Sequence, residues 1–226
     1  MPTTSAPLAS APACAQTEAL APDWSQLQPG FADPVHDAQR VFRALLDALA
    51  RPGQLRDVGV VLPASNEAGI AARAALLALA DAETPVWLQR PMPALSAALR
   101  FHTGAPVLSG RDAQSQAHFA LLTETAHWPA LDAFSLGSLE APEHSTTLLI
   151  DVTALAAGWH SADGVRLRLR GPGVAEHADV TVHGLPSRFW AEHAALAPQF
   201  PCGLDLWLAA GATVLGVPRT TRVEVC

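Results

Sequence analysis

The sequence predicts an α/β fold: a mixed β-sheet flanked by helices in three layers, α/β/α, built as one domain. Three observations predict it. Segments with a 3.6-residue apolar period alternate along the chain with short apolar runs of strand length, the pattern of helices laid over a sheet. No internal repeat and no interior low-complexity linker divides the chain. Its 226 residues, 50% of them hydrophobic, are enough for one large core without a disulfide or metal staple.

Residues 1–28 are dominated by Ala, Pro, Ser and Thr and read as a loose arm, because so few large apolar side chains cannot offset the entropy of ordering. The domain is expected over 29–226. Asp33-Pro34 opens a helix that runs to about Ala50, with Asp as N-cap and Pro at the first helical position. Val35, Phe42, Leu45, Leu46 and Leu49 form its apolar side, and Arg51-Pro52-Gly53 stops it. A β run at Val58–Leu62 precedes a second helix from about Glu67 to Ala82 and a brief strand at Thr84–Leu88. Further β runs are expected at Ala117–Leu122, Thr146–Val152, Val165–Arg170, Asp179–Val182, Leu204–Leu208 and Thr213–Val217, the last two joined as a hairpin around Ala210-Gly211. Helical stretches fit Leu95–Leu99, Trp128–Phe134 and Ser187–Ala195.

Composition excludes several function classes. With 14 basic against 21 acidic residues the net charge is −7, whereas a duplex-binding surface carries a basic excess, so no nucleic-acid partner is expected. Every basic residue is arginine. Without lysine there is no Schiff base to pyridoxal phosphate, hence no such cofactor, and no ordinary P-loop. The cysteines, Cys14, Cys202 and Cys226, lie far apart with no C-x-x-C pair, which fits a reducing, cytoplasmic compartment. The first residues lack a basic n-region and make a poor signal peptide, and the longest apolar run, Ala74 to Ala80, is far short of a membrane span.

The histidine spacing does not suit zinc, and no metal is expected. His177-Ala-Asp179-Val-Thr181-Val-His183 contains an H-x-D core, but on a strand the two histidines stand roughly 20 Å apart. They cannot share one ion. In Val165-Arg-Leu-Arg-Leu-Arg170 the arginines line one strand face and Val165, Leu167 and Leu169 the other. Arg166, Arg168 and Arg170 suit either an anionic partner or the guarding of an edge strand. Arg219-Thr220-Thr221-Arg222, beyond the hairpin, offers two guanidinium groups and two hydroxyls to an anion or to a partner's carboxylates. Arg100-Phe101-His102-Thr103 follows a helix and adds a cation and an imidazole, the latter a plausible proton carrier. The candidate anion ligands are therefore Arg219, Thr220 and Arg222, then Arg100, His102 and Arg168. No G-x-S-x-G, G-x-G-x-x-G or Walker sequence accompanies them.

Several segments in order resemble one family: Asp33-x-x-x-Asp37-Ala38-Gln39 with Phe42-Arg43, Asp81-x-x-Thr84-Pro85-Val86-Trp87-Leu88, and Leu99-Arg100-Phe101-His102-Thr103. The series continues through Ala141-Pro142-Glu143, Leu167-Arg168-Leu169 with Gly171 and Gly173, and Phe200-Pro201 with Gly203-x-Asp205-Leu206. It ends at Pro218-Arg219-Thr220-Thr221-x-Val223-Glu224-Val225-Cys226. Together they resemble PhnH, the H subunits of the bacterial carbon–phosphorus lyase system, over about Gly30 to Cys226.

The resemblance implies a non-catalytic or accessory subunit of a core complex with G, I and J subunits. That assembly supports synthesis of α-D-ribose 1-methylphosphonate 5-triphosphate from ATP and methylphosphonate. It also implies a fold similar to the large domain of pyridoxal-phosphate transferases without the cofactor site, in keeping with the missing lysine. An interaction subunit is expected to carry an apolar patch for its own homodimer or for the I subunit, with Trp190, Phe200 and Trp207 as anchors if they are not core. The alternatives are a small-anion sensor of nucleotide or phosphonate, and a free-standing transferase acting on a phosphonate.

Overall fold

The computed structural model describes residues 24–159 and 163–226, so residues 1–23 of the expected arm lie outside the described residues. The described chain opens with a 3₁₀ turn at Trp24–Gln26 that packs on a later helix. The elements that follow are α1 Pro34–Ala50, β1 Arg56–Asp57, α2 Ile70–Leu79, β2 Val86–Leu88, α3 Pro93–His102, β3 Val107–Leu108 and β4 Phe119–Leu122. The second half contributes β5 Thr147–Asp151, β6 Ala154–Ala157, β7 Val165–Arg170, β8 Ala178–His183, α4 Ser187–Ala195, β9 Asp205–Ala210, β10 Thr213–Val217 and β11 Arg222–Val225.

Asp33 caps α1 as its side chain dictates, accepting hydrogen bonds from the backbone N–H of Val35 at 3.2 Å and His36 at 3.1 Å. The helix does not bury a single stripe. Val41, Leu45 and Ala48 enter the core, whereas Val35, Phe42 and Leu46 stay exposed along a neighbouring face. The approach of α1 to the sheet is close enough to require a glycine: a Cβ on Gly216 of β10 would stand 2.6 Å from the backbone of Ala48 and Leu49.

Two sheets result. The larger has the order β1-β10-β9-β5-β4-β2-β3, parallel from β9 through β3 and antiparallel at β9/β10 and β10/β1. The smaller is antiparallel, in the order β11-β7-β8-β6. The period of two along each central strand divides the interior into two cores. Val86, Leu88, Leu121, Leu149, Trp207, Ala209 and Val214 face the helices α1, α2 and α3. Trp87, Ala120, Leu122, Leu148, Ile150, Leu206, Leu208 and Leu215 face the other way, onto Leu167, Leu169, Val180 and Val182 of the small sheet and Phe189 and Trp190 of α4.

This corrects the expected α/β/α layering: the second face of the central sheet is covered by another sheet with α4 beside it, rather than by a layer of helices. The β run over Val58–Leu62 also fails to form, because Gly59 takes φ +67° and turns the chain away from the β10 edge, leaving only Arg56–Asp57 paired. Of the helix expected over Trp128–Phe134 a 3₁₀ turn remains at Leu131–Ala133, since Pro129 drives Trp128 out of helical backbone. β7 lies between β11 and β8, so its arginines are not guarding an edge. Trp190 and Trp207 are buried core residues, and of the expected interface anchors Phe200 alone is exposed.

Candidate functional site

The chain leaving β10 turns at once, the N–H of Thr221 donating to the carbonyl of Pro218 at 2.8 Å, and enters β11. This turn sets Arg219 against Asp205, the first residue of β9. The backbone N–H of Arg219 donates to Asp205 Oδ1 at 2.8 Å, and its Nε stands 3.2 Å from both carboxylate oxygens. Its Nη1 donates to the carbonyls of Pro142 and Pro201 at 2.8 and 3.3 Å, and its Nη2 to Ser145 Oγ and Asp205 Oδ2. All its N–H groups are committed within the fold. Arg219 ties three loops to the end of the central sheet, and a ligand would have to displace a carboxylate to reach it.

Thr220 is exposed, and Arg222, also exposed, opens β11. Between this turn, α4 and the 196–204 loop lies a cavity of about 100 Å³, lined by His193, Leu196, Cys202, Thr221, Arg222 and Val223 among others. Two of its polar groups are unusual. The buried Thr221 Oγ1 has no hydrogen-bond partner among the described residues. Burial pushes the His193 imidazole down to about 4, against the attraction of Asp205, so the ring is neutral at physiological pH. The cavity can therefore offer a hydroxyl, a neutral imidazole and a thiol beside Arg222, with Arg219, already bound to Asp205, also in its wall.

Arg168 is one strand away. Its Nε and Nη2 grip the two oxygens of Asp179 at 2.9 and 3.0 Å, and its guanidinium lies 4.9 Å from the centroid of the Trp159 ring. The Arg168 guanidinium holds the Asp179 carboxyl below the usual carboxylate range. Arg100 and His102 are elsewhere. They occupy the last turn of α3, in the helical layer, so the central sheet separates them from Arg168, Thr220 and Arg222. His102 Nε2 meets the carbonyl of Gln28 at 3.1 Å and its ring packs on Gly30, which fastens the entering chain to α3.

A second constellation lies at the carboxyl ends of the parallel strands. The chain leaves β2 toward β3 on one side and β4 toward β5 on the other, a topological switch point of the kind where α/β sheets bind ligands. Here the crevice is filled by the protein itself. Glu67 accepts from the N–H groups of Ala94 and Leu95 in the first turn of α3 at 3.1 and 2.8 Å, the place an anion would take. Gln89 bridges the backbone of Thr123 and Glu124, and Asp151 accepts from Gly69 N–H at 2.7 Å. Burial pushes the Asp151 carboxyl up and the Arg73 guanidinium down from their ordinary values.

The sequence reading found the C-terminal arginines but missed His193, Cys202, Glu67, Gln89 and Asp151. A signal existed for the last two, which directly follow or end short apolar strand runs. Nothing local marks the others. Among the described residues no three His, Cys, Asp or Glu side chains come together as metal ligands would.

The family described as "Bacterial phosphonate metabolism protein (PhnH)" matches residues 29–224, nearly the whole chain. The chain belongs to the PhnH family. It is 40% identical over 206 residues to the α-D-ribose 1-methylphosphonate 5-triphosphate synthase subunit PhnH of Rhizobium meliloti (strain 1021), covering 88% of this chain and 97% of that one. It is 31% identical over 188 residues to the HtxG protein of Stutzerimonas stutzeri, whose name assigns it to a C-P lyase, with 83% and 86% covered. No helix among the described residues is long and apolar enough to cross a membrane.

Proposed function

We propose that this chain is an accessory, cytoplasmic subunit of the carbon–phosphorus lyase core complex, assembling with G, I and J subunits. There it supports synthesis of α-D-ribose 1-methylphosphonate 5-triphosphate from ATP and methylphosphonate in phosphonate catabolism. One observation carries the reading: a relative matched over 97% of its own length is named as a subunit of that synthase. The disposition of the arginines agrees with a non-catalytic role. Of the oxyanion donors expected from the sequence, Arg219 from the first group and Arg168 from the second are paired with Asp205 and Asp179 of the same chain.

The same reading takes the likeness to the large domain of pyridoxal-phosphate transferases as one of scaffold alone, with no cofactor, since no lysine is present for a Schiff base. Isolated, the subunit pairs with a second copy. Coexpression of the tagged chain with G, I and J subunits tests the proposal. Co-elution in fixed ratio, with synthase activity lost when the chain is omitted, supports it. Elution of the chain alone from a synthase that works without it overturns it, as does turnover of ATP and methylphosphonate by the chain on its own.

A second reading, a small-anion sensor, draws on the unpartnered Thr221 hydroxyl beside Arg222 in the α4 cavity. Thermal-shift titration with methylphosphonate and with ATP tests it, and a flat response to both removes it.

A further inference from the structure

The outer face of the small sheet carries an arrangement of charge that the fold does not use. Its inner face, Leu167, Leu169, Val180 and Val182, is fully buried against the central sheet. The alternate residues lie on the opposite face, where Thr181 of β8 is covered by Gly158 and Gly164 while the arginines of β7 and β11 remain wholly or partly exposed. α1, α2 and α3 pack on the far side of the central sheet, and α4 contacts β11. Strand register then decides which charges meet. Arg222 of β11 lies directly opposite Arg170 of β7, and Arg168 has Glu224 on one side and Asp179 on the other.

Directly opposed residues of an antiparallel pair project on one side of the sheet, so Arg170 and Arg222 set two like charges together. Both are exposed, as is Arg166 at the other end of the row. None of the three has an ion-pair partner among the described residues. Between them Arg168 is fixed by its two bonds to Asp179 and lies over Trp159, which remains 40% exposed. The result is a cationic row around a rigid Arg–Trp platform, the residue types that anchor protein interfaces.

We propose that this face docks a carboxylate-bearing surface of a partner subunit. The inference rests on the complex-subunit reading above and adds to it which face binds and what chemistry meets it. Charge complementarity identifies the occupant. The row carries excess positive charge on a chain whose net charge is −7, so an acidic patch is drawn to this face and repelled by the remainder. The same negative remainder disfavours a nucleic acid, whose charge extends far beyond four arginines. An incoming carboxylate between Arg170 and Arg222 also removes a repulsion that the free protein carries, so binding gains where folding loses.

The test is reconstitution of the complex from purified G, I and J subunits with the full chain, with affinity measured at about 50 and about 500 mM salt. Wild type is expected to bind more weakly at high salt. Arg170→Glu combined with Arg222→Glu is expected to weaken binding roughly tenfold or more and to flatten the salt dependence. Arg222→Glu alone sets a carboxylate opposite Arg170 and is expected to raise Tm while weakening association, a pairing of effects that damage to the fold cannot produce. Should the double charge reversal not fold, Arg170→Ala with Arg222→Ala takes its place, with weaker binding again expected. Equal affinity of wild type and these variants overturns the proposal and leaves the complex-subunit reading intact. Association abolished by nuclease overturns it in favour of a nucleic acid. Failure of wild type to associate at either salt overturns both readings together.

Discussion

Arg219 holds Asp205 by backbone and side chain at once, its N–H at 2.8 Å from Oδ1 and its guanidinium spanning both carboxylate oxygens. The pair sits at the junction of the 142–145 loop, the 200–203 loop and the end of β10, and both side chains are largely buried. Its first consequence is thermodynamic. Arg219→Ala is expected to cost about 2–4 kcal/mol in urea unfolding, because the largely buried Asp205 carboxylate keeps only its backbone donor and two carbonyls lose the guanidinium. Arg219→Lys recovers little, since an ammonium cannot span the same acceptors. A variant of unchanged stability would return Arg219 to the role of ligand donor.

His193 makes stability depend on pH in a defined direction. Its folded value of about 4 lies below the ordinary 6.5, so between those pH values the unfolded chain binds a proton that the folded chain refuses. Stability is expected to fall from pH 6.5 toward pH 4, by as much as about 3 kcal/mol from this group. Unfolding of wild type and His193→Phe across that range checks it: the difference between the two should shift steadily in favour of Phe as pH drops.

Asp151 works in the opposite sense. Burial raises its carboxyl, so its ionised form is disfavoured by the fold and its contribution is lost as pH rises through the folded value. Asp151→Asn keeps an acceptor for Gly69 N–H without the charge. Relative to wild type, the variant's Tm is therefore expected to improve from pH 4 to pH 7.5. A difference that does not change with pH would show that Arg73 compensates the carboxylate fully.

Gly216→Ala is the sharpest packing test. The added methyl would meet the backbone of Ala48 and Leu49 at 2.6 Å, and backbone on both sides leaves little room to give. A loss of about 2–3 kcal/mol is expected from chemical denaturation, against near neutrality for alanine at the neighbouring exposed Gly211, save for the strain of its positive φ.

Elements whose signals are local could be read from the sequence. Asp33-Pro34 states a helix start in two residues, and the alternation in Val165–Arg170 states a strand with a charged face. The second sheet could not be read so directly. β6 is Ala-Leu-Ala-Ala, without β-branched residues, and β11 is four residues whose strand character depends on β7 beside it. Phe42 and Leu46 share a helical period with Leu45, and the period alone does not say which of two adjacent apolar faces the sheet takes. The candidate site divided along the same line. Arg219, Thr220 and Arg222 fall within four residues, so one motif held them together with Thr221, whereas His193 and Cys202 reach Thr221 only because α4 returns over β11. Nor could the sequence disclose that Arg219 and Arg168 were already matched with Asp205 and Asp179, 14 and 11 residues away.

The Arg219 junction also sets an order of events during synthesis. Pro142, Ser145, Pro201 and Asp205 wait for Arg219, β1 waits for β10, and β7 keeps an open edge until Arg222–Val225 arrives. In a chain emerging at about 5–20 residues per second, β10, Arg219 and β11 appear after the partners they join. The domain is thus latched by β10, the Arg219 turn and β11, and until they pair the open side of β7 is a strand edge that other chains can reach.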